Sequence, residues 1–200
     1  MPPYVLIVFF RIKASEGENE MDFTEKTIDT KVIYEGRILN FKIDTVVLPD
    51  GQIGERELVE HPGGVAIVAV DDENNLLLVE QYRIPYKKNL LEISAGKVDK
   101  GEDIEKAGRR ELLEEVGVTA GNFEFLGECY PSVGYTNEII RLFLATDLKF
   151  EGQNLDSDEF LNVHKVPFNV MIDRIMNNEI ADAKTVMGIM KAAVKLGILK

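Results

Sequence analysis

The sequence predicts an α+β fold, in which a mixed β-sheet carries helices on its faces and a small antiparallel sheet precedes it. Three observations support this class. Short apolar segments separated by turn residues fill the first half of the chain, and some are close enough to form hairpins. One helical pattern then lies between two groups of strands. Two further helical patterns close the chain, so strands and helices are mixed and much of the strand pairing is expected to be antiparallel.

The small antiparallel sheet is predicted within residues 21–60. Its expected strands are 32–33, 39–48 and 55–60. The turn before the last strand contains Pro49, Asp50 and Gly51. Proline restricts the backbone angle at such a turn, and glycine can adopt a positive one.

The main sheet and all the helices are predicted within residues 61–200. The expected strands are 65–70, 76–81, 90–94, 123–130, 139–145 and 161–166. The first of them is a continuous apolar run, which is typical of a strand buried on both faces. The expected helices are 103–116, 168–177 and 183–196. The apolar face of the last helix is predicted to comprise Val186, Met187, Met190, Val194 and Leu196.

Composition restricts the classes of function. The net charge of −12 argues against binding to nucleic acid or to an anionic membrane, since phosphate-rich surfaces attract basic proteins. The chain has a single cysteine, Cys129, so an intrachain disulfide is excluded, which fits a cytoplasmic location. We expect Cys129 to be a buried apolar residue. The apolar run 4–10 is far shorter than the roughly 20 residues needed to span a bilayer. Residues 1–20 are treated as an extension of uncertain status, with Met21 as a candidate start.

The helix at 103–116 carries an acidic cluster in its last turn. Glu111, Glu114 and Glu115 lie three and four residues apart, so they would share one face of an α-helix. Like charges at this spacing, and acids at the negative end of the helix dipole, destabilise a helix. A hard divalent cation would compensate, because magnesium prefers carboxylate oxygens and can polarise a phosphoryl oxygen. Taken alone, the cluster fits a solvated acidic face better than a metal site.

The cluster belongs to a longer motif, 96–118, with the sequence GKVDKGEDIEKAGRRELLEEVGV. The pattern is a glycine, five residues, a glutamate, seven residues, and then Arg-Glu-aliphatic-x-Glu-Glu-x-Gly-aliphatic. The nine specified positions are Gly96, Glu102, Arg110, Glu111, Leu112, Glu114, Glu115, Gly117 and Val118. With every specified position filled, the chain resembles the Nudix hydrolase family.

This resemblance implies an α/β/α sandwich and a divalent cofactor, Mg²⁺ or alternatively Mn²⁺. The implied metal ligands are Glu111, Glu114, Glu115 and the carbonyl oxygen of Ala95, with Glu111 and Glu115 serving catalysis. Glu102 would join the ligands or support the preceding loop through Arg110. Arg110 itself is expected to form an orienting ion pair.

Segments that flank the motif resemble the ADP-ribose pyrophosphatase branch of that family. They are 80–83 (EQYR), 91–96 (LEISAG) and 130–138 (YPSVGYTNE). The implied reaction is hydrolysis of the diphosphate bond of ADP-ribose to AMP and ribose 5-phosphate. The motif does not specify the substrate, so another nucleotide sugar, such as a GDP- or UDP-hexose, is an alternative. A non-catalytic nucleotide-binding module is disfavoured because all the carboxylates of the motif are present.

The resemblance also implies roles outside the motif. Arg83 would bind the diphosphate, a task suited to its rigid fork of donors. Arg56 would reach the substrate from the small sheet, in its own subunit or across a dimer interface; its alternative is a surface ion pair with Glu55 or Glu57. Glu92 would lie near the metal. The loop with Gly134 and Glu138 would contact the terminal ribose.

The catalytic base is expected on the acidic loop near residue 158. Glu159 is the first candidate, and Asp158 and Glu138 are the alternatives. His61 and His164 are expected to lie away from the motif.

A homodimer is implied as well, formed through residues 31–60, where exposed strand edges would otherwise invite aggregation. Adenine would stack on Phe41, Tyr34 or another ring of the small sheet.

Overall fold

The computed structural model describes residues 21–155, 157 and 159–199. The apolar run 4–10 and the candidate base Asp158 therefore lie outside the described residues. The described chain begins with an antiparallel sheet in the order β1-β2-β3. Its strands are β1 (Lys26–Glu35), β2 (Asn40–Val47) and β3 (Ile53–Glu60).

The second sheet has seven strands. They are β4 (Gly64–Val70), β5 (Asn75–Arg83), β6 (Lys88–Glu92), β7 (Ser94–Lys97), β8 (Val118–Cys129), β9 (Ile140–Phe150) and β10 (Leu161–Pro167). Its main path is β10-β5-β4-β9-β8, with β6 paired to β5 and β7 paired to β4. Only the β4–β9 pair is parallel among these described pairings. The helices are α1 (Ile104–Glu111), α2 (Phe168–Met176) and α3 (Ala183–Lys195). The predicted fold class, a mixed sheet between helices preceded by a small antiparallel sheet, is confirmed.

The core lies on both faces of β4. All seven residues of this strand are buried, as its unbroken apolar sequence predicted. Because neighbouring strand residues point to opposite faces, Ala66 and Val68 join the apolar cluster formed with α2 and α3, whereas Val65 and Ile67 join the cluster that includes α1. The sheet that contains β4 is therefore the middle layer of the sandwich.

The first helix differs from the prediction of one α-helix over 103–116. Asp103 caps it as expected, with its side chain accepting a hydrogen bond from the backbone N–H of Lys106 at 3.1 Å. The α-helix ends at Glu111 and continues as a wider π-helical turn, Leu112–Val116. Gly117 then ends the turn with φ of 76°, a left-handed conformation that favours glycine. Single π-turns of this kind occur often at functional sites.

The predicted apolar face of α3 was partly wrong. Val194 is 63% exposed, and the buried positions include Gly188, Ile189 and Ala192. The helix approaches the sheet so closely that a Cβ on Gly188 would lie 3.0 Å from the side chains of Ile93 and Val68. A small residue at position 188 therefore permits the close approach, and Ile189 is buried in the contact, whereas Val194 lies away from it.

The small sheet is bound to the main body through β3. The backbone N–H of Val59 donates to the carbonyl oxygen of Tyr135 at 2.7 Å, and the N–H of Asn137 donates to the carbonyl oxygen of Val59 at 3.3 Å. All ten residues of β1 are exposed in the single chain. Over the described part of the chain, none of the helices has the length and apolar character required to cross a membrane.

Candidate active site

A cavity of about 720 Å³ lies beside α1, within the size range of small-molecule sites. It is bounded by β4, the β5–β6 hairpin, the motif helix and the start of α3. Predicted site residues that line it are Arg83, Ala95, Glu111, Glu115, Glu138 and Glu159. The structure thus brings together residues separated by more than 70 positions in the sequence.

Two carboxylates of the motif are buried at this cavity. Glu111 is 7% exposed and Glu115 is 3% exposed. Burial raises the pKa of Glu115 to about 7, although a hydrogen bond from the backbone N–H of Ala95, at 3.0 Å, opposes the shift. Burial also raises the pKa of Glu111. The nearby carboxylate of Glu159 raises both values further, whereas the guanidinium group of Arg110 lowers the pKa of Glu111 without cancelling the effect of burial.

Gly96 allows one of these carboxylates to approach the backbone. A Cβ atom at Gly96 would lie only 1.9 Å from the carboxyl carbon of Glu111. No side chain can be accommodated there while Glu111 keeps its position. The glycine that opens the motif is therefore required by the position of Glu111.

Arg110 holds three acidic residues of the motif in place. Its Nε and Nη2 donate to both oxygens of Glu102, at 3.0 and 3.1 Å. Its Nη1 donates to Glu111 at 2.8 Å and to Glu114 at 2.9 Å. Glu102 also accepts a hydrogen bond from the backbone N–H of Asp99 at 3.1 Å, so the loop before α1 is tied to the helix.

The carboxylate oxygens of the motif are the type of ligand that a hard divalent cation prefers, but they are not grouped around one metal position. Among the described residues, no three acidic, histidine or cysteine side chains are grouped closely enough to hold a metal ion. The reason is visible in the contacts: Glu114 is turned to Arg110, and one oxygen of Glu115 accepts from Ala95. A divalent cation would nevertheless compensate the charge of two buried carboxylates whose pKa values are raised.

Arg83 belongs to a charged cluster that sequence reasoning only partly found. Its Nε and Nη2 donate to the two oxygens of Glu92, at 2.7 and 2.8 Å. Glu92 also forms an ion pair with Lys184, whose Nζ donates to Asp182 at 2.8 Å. Lys184 and Asp182 were missed. The position of Asp182 before a helix is a recognisable capping signal, but nothing in the sequence around Lys184 indicates its partners.

Of the other predicted site residues, some line the cavity and others do not. Glu138 and Glu159 line the cavity, whereas Gly134 lies in an exposed loop and is not among the lining residues. Arg56 also lies outside the lining and pairs with Glu25, its Nε donating to Oε2 at 2.8 Å. The partner of that ion pair is neither of the adjacent glutamates proposed for it.

The expectation for His61 was wrong. This residue lines the cavity together with Gly96 and Glu111, and its Nδ1 lies 3.4 Å from Oε1 of Glu138. Because β4 begins three residues after it and pairs with β7, strand pairing brings His61 to the motif. His164 lies on β10, where its Nε2 is 3.2 Å from Oε2 of Glu80.

The rings available for stacking also differ from the expectation. Tyr34 and Phe41 lie on the small sheet and do not line the cavity of their own chain. Among the described residues, the tyrosine and phenylalanine rings that line it are those of Tyr82 and Tyr86, on β5 and in the turn after it. Both are more than half exposed.

Comparison with known proteins gives two family matches along this chain. Residues 60–186 match the model described as NUDIX domain. Residues 25–59 match the model described as nucleoside diphosphate sugar hydrolase N-terminal domain. The two matched ranges meet at the last residue of β3, close to where the two sheets separate.

Individual relatives cover most of the chain. It is 41% identical over 169 residues to a methanol dehydrogenase activator of Bacillus methanolicus, covering 84% of this chain and 91% of the relative. It is 39% identical over 173 residues to an ADP-ribose pyrophosphatase of Bacillus subtilis (strain 168), covering 86% and 94%. The crystal structure of an ADP compounds hydrolase superposes with a TM-score of 0.79 at 23% identity, covering 90% of this chain and 97% of that one, and it supports the fold.

Proposed function

This chain belongs to the Nudix family, and on that basis we propose that it hydrolyses the diphosphate bond of ADP-ribose to AMP and ribose 5-phosphate. Family membership confirms the resemblance found in motif 96–118. The observation that carries the proposal is the pair of buried carboxylates, Glu111 and Glu115, at the same cavity as Arg83. The relative named ADP-ribose pyrophosphatase supports ADP-ribose as the substrate.

The proposed reaction consumes one water molecule. The water oxygen attacks one phosphorus, the bond from that phosphorus to the bridging oxygen breaks, and each half leaves as a phosphate monoester. Glu159 is the proposed base, because its carboxylate lines the cavity and acts electrostatically on both Glu111 and Glu115. It takes one proton from the water, and the second proton passes to solvent. Glu138 is the alternative base that lines the same cavity.

We propose Mg²⁺ as the cofactor, with Mn²⁺ as an alternative. Glu111, Glu114, Glu115 and the carbonyl oxygen of Ala95 would hold it. When bound, such a cation neutralises charge on phosphoryl oxygens and lowers the pKa of water. Glu114 would leave its contact with Arg110 to take part, while Arg110 keeps both oxygens of Glu102.

Arg83 is the proposed contact for the substrate diphosphate. Glu92 engages the Nε and Nη2 edge of its guanidinium group, which fixes the orientation of the group. The Nη1 edge is left for a phosphate oxygen. Glu138 and the loop at Gly134 are proposed to contact the terminal ribose.

A cytoplasmic location remains a prediction from the sequence.

We further propose a homodimer formed through β1, β2 and β3. The small sheet carries exposed apolar side chains in the single chain, including Ile28, Val32, Tyr34 and Ile53. A second copy that covers them would remove an aggregation hazard and could place Arg56 at the partner's cavity. Sedimentation velocity tests the oligomeric state. A monomer at micromolar concentration would refute the dimer.

A mixing experiment tests Arg56 in trans. In an equimolar mixture of Arg56→Ala and Glu115→Gln subunits, half of the dimers are mixed and each has one complete site. About a quarter of wild-type activity is therefore expected if the arginine serves its partner. No recovery, in a mixture shown to exchange subunits, would refute this arrangement.

The proposed reaction itself is tested with a panel of substrates. ADP-ribose, GDP-mannose and UDP-glucose are compared with Mg²⁺, with Mn²⁺ and with chelator, and phosphate monoester release is measured. Metal-dependent preference for ADP-ribose is expected. Preference for another nucleotide sugar would refute the substrate and keep the reaction class, whereas binding without turnover would refute the reaction.

A further inference from the structure

Lys184 has no role in the chemistry proposed so far. It lies in the first turn of α3, where it lines the cavity, yet only 8% of the residue is exposed. Lysine is almost never fully buried unless it is paired. Its Nζ donates to Oδ2 of Asp182 at 2.8 Å and forms an ion pair with Oε2 of Glu92.

Glu92 is shared between two cations. Oε1 accepts from Nε of Arg83 at 2.7 Å, and Oε2 accepts from Nη2 of Arg83 at 2.8 Å as well as from Lys184. The Glu92 side chain is only 2% exposed, so water contributes little to its stabilisation. The position of Arg83 and the charge that it presents to the cavity therefore depend on how Glu92 divides its charge between its two partners.

The start of α3 is held against Ile93, the residue between β6 and β7. The hydroxyl oxygen of Thr185 accepts from the backbone N–H of Ile93 at 3.0 Å and donates to Asp182 at 2.6 Å. Asp182 also accepts from the backbone N–H of Thr185 at 3.1 Å, which caps the helix. These bonds place Lys184 beside Glu92.

The charges of this cluster are balanced. Arg83 and Lys184 contribute two positive charges, and Glu92 and Asp182 contribute two negative charges. Without Lys184 the cluster would carry a net negative charge at the place where a diphosphate has to bind, and Glu92 would neutralise Arg83 alone.

We propose that Lys184 is a positioning residue for substrate binding, which takes up part of the charge of Glu92 so that Arg83 stays available to the diphosphate. This inference rests on the proposed hydrolysis of ADP-ribose. It assigns to Lys184 an electrostatic effect on substrate affinity, exerted through Glu92 and not through direct contact with the reacting atoms.

The test compares Lys184→Met with Lys184→Arg in the full-length enzyme. In the methionine variant, KM for ADP-ribose should rise about tenfold while kcat stays within about twofold, because ground-state and transition-state binding are weakened alike. The arginine variant keeps the charge and should retain most of the affinity.

A second variant separates charge from packing. Combining Lys184→Met with Asp182→Asn returns the cluster to neutrality, and asparagine remains a good helix cap. If the effect is electrostatic, the double variant should recover most of the lost affinity. If the role of Lys184 is purely structural, the second substitution should weaken substrate affinity further and lower the thermal stability. Thermal unfolding of each variant measures that stability.

Three outcomes would overturn the inference: an unchanged KM in Lys184→Met, no recovery of KM in the double variant, or equal loss in Lys184→Arg and Lys184→Met. If Lys184→Met does not fold, Asp182→Asn alone is compared with wild type. Higher affinity in Asp182→Asn than in wild type would support the charge argument, and an unchanged or lower affinity would overturn it.

Failure of the proposed function is distinguishable from failure of this inference. Wild-type enzyme that does not hydrolyse ADP-ribose refutes the function. The inference is then tested by calorimetric titration of ADP-ribose into wild type and Lys184→Met in chelator. Weaker binding to the variant supports it, and equal or absent binding to both overturns it.

Discussion

Replacing Glu115 with glutamine should abolish turnover and, at the same time, stabilise the metal-free protein at alkaline pH. Glu115 is 3% exposed, and burial raises its pKa from the ordinary value of 4.5 to about 7. The native state therefore resists ionisation of this carboxyl, whereas the unfolded chain ionises at the ordinary pKa. Glutamine carries no charge, and its amide oxygen can still accept the backbone N–H of Ala95.

The size of the effect follows from the pKa difference. From 4.5 to about 7 is about 2.5 pH units, and at about 1.4 kcal/mol per unit the ionised carboxylate costs up to about 3 kcal/mol. Because the native pKa is raised, the stability contribution is complete below pH 4.5 and is lost as the pH rises through about 7. The advantage of Glu115→Gln should thus be about 1–3 kcal/mol above pH 8 and vanish near pH 4.5.

The assay is urea unfolding in chelator at about pH 8.5 and about pH 5, together with steady-state turnover in Mg²⁺. Added Mg²⁺ should stabilise wild type more than the variant, since the variant lacks one proposed ligand. Glu105→Gln is the matched control, because Glu105 lies on the same helix but is exposed and pairs with Arg109. Equal unfolding free energies for wild type and Glu115→Gln at pH 8.5, or near-full activity in the variant, would refute the reasoning.

Three further substitutions test other parts of the structure. Gly96→Ala places a Cβ 1.9 Å from the carboxyl carbon of Glu111, so we expect at least tenfold lower turnover and a loss of about 1–3 kcal/mol in unfolding free energy; unchanged kinetics would contradict this placement of Glu111. Glu159→Gln should lower kcat by about 100-fold or more while KM changes little, and steady-state rates that match wild type would exclude Glu159 as the base. Burial raises the pKa of Asp71, but hydrogen bonds, first among them that from Lys165, lower this pKa overall to about 2. The stabilisation of the fold by the ionised Asp71 is therefore present above the ordinary pKa of 3.8 and is lost as the pH falls through about 2. Asp71→Asn should therefore cost about 1 kcal/mol at pH 7, and in urea titrations the difference from wild type should close in acid.

Local patterns in the sequence were sufficient for much of the fold. The unbroken apolar run of β4 indicated burial on both faces, and Asp103 and Gly117 marked the start and end of the motif helix correctly. Such signals depend on residues a few positions apart, whose geometry is set by the periodicity of helices and strands. The spacing of the motif likewise identified the family, although it did not reveal the π-helical turn.

The elements whose positions depend on distant contacts could not be predicted in this way. Lys184 lies 92 positions from Glu92 and meets it only because α3 packs closely against the sheet through Gly188. His61 reaches the cavity through the pairing of β4 with β7, and Arg56 pairs with Glu25, 31 positions away, across the small sheet.

By itself, the sequence determined the family, the class of fold and the carboxylates of the motif, because these depend on short spacings along the chain. Tertiary structure alone decided which charges meet. Glu111 and Glu115 are buried with raised pKa values, whereas Glu92 is buried between Arg83 and Lys184 with a lowered one. The physical reason is that burial disfavours every carboxylate, and the packing of distant elements gives Glu92 two cationic partners, whereas Glu111 has the adjacent Arg110.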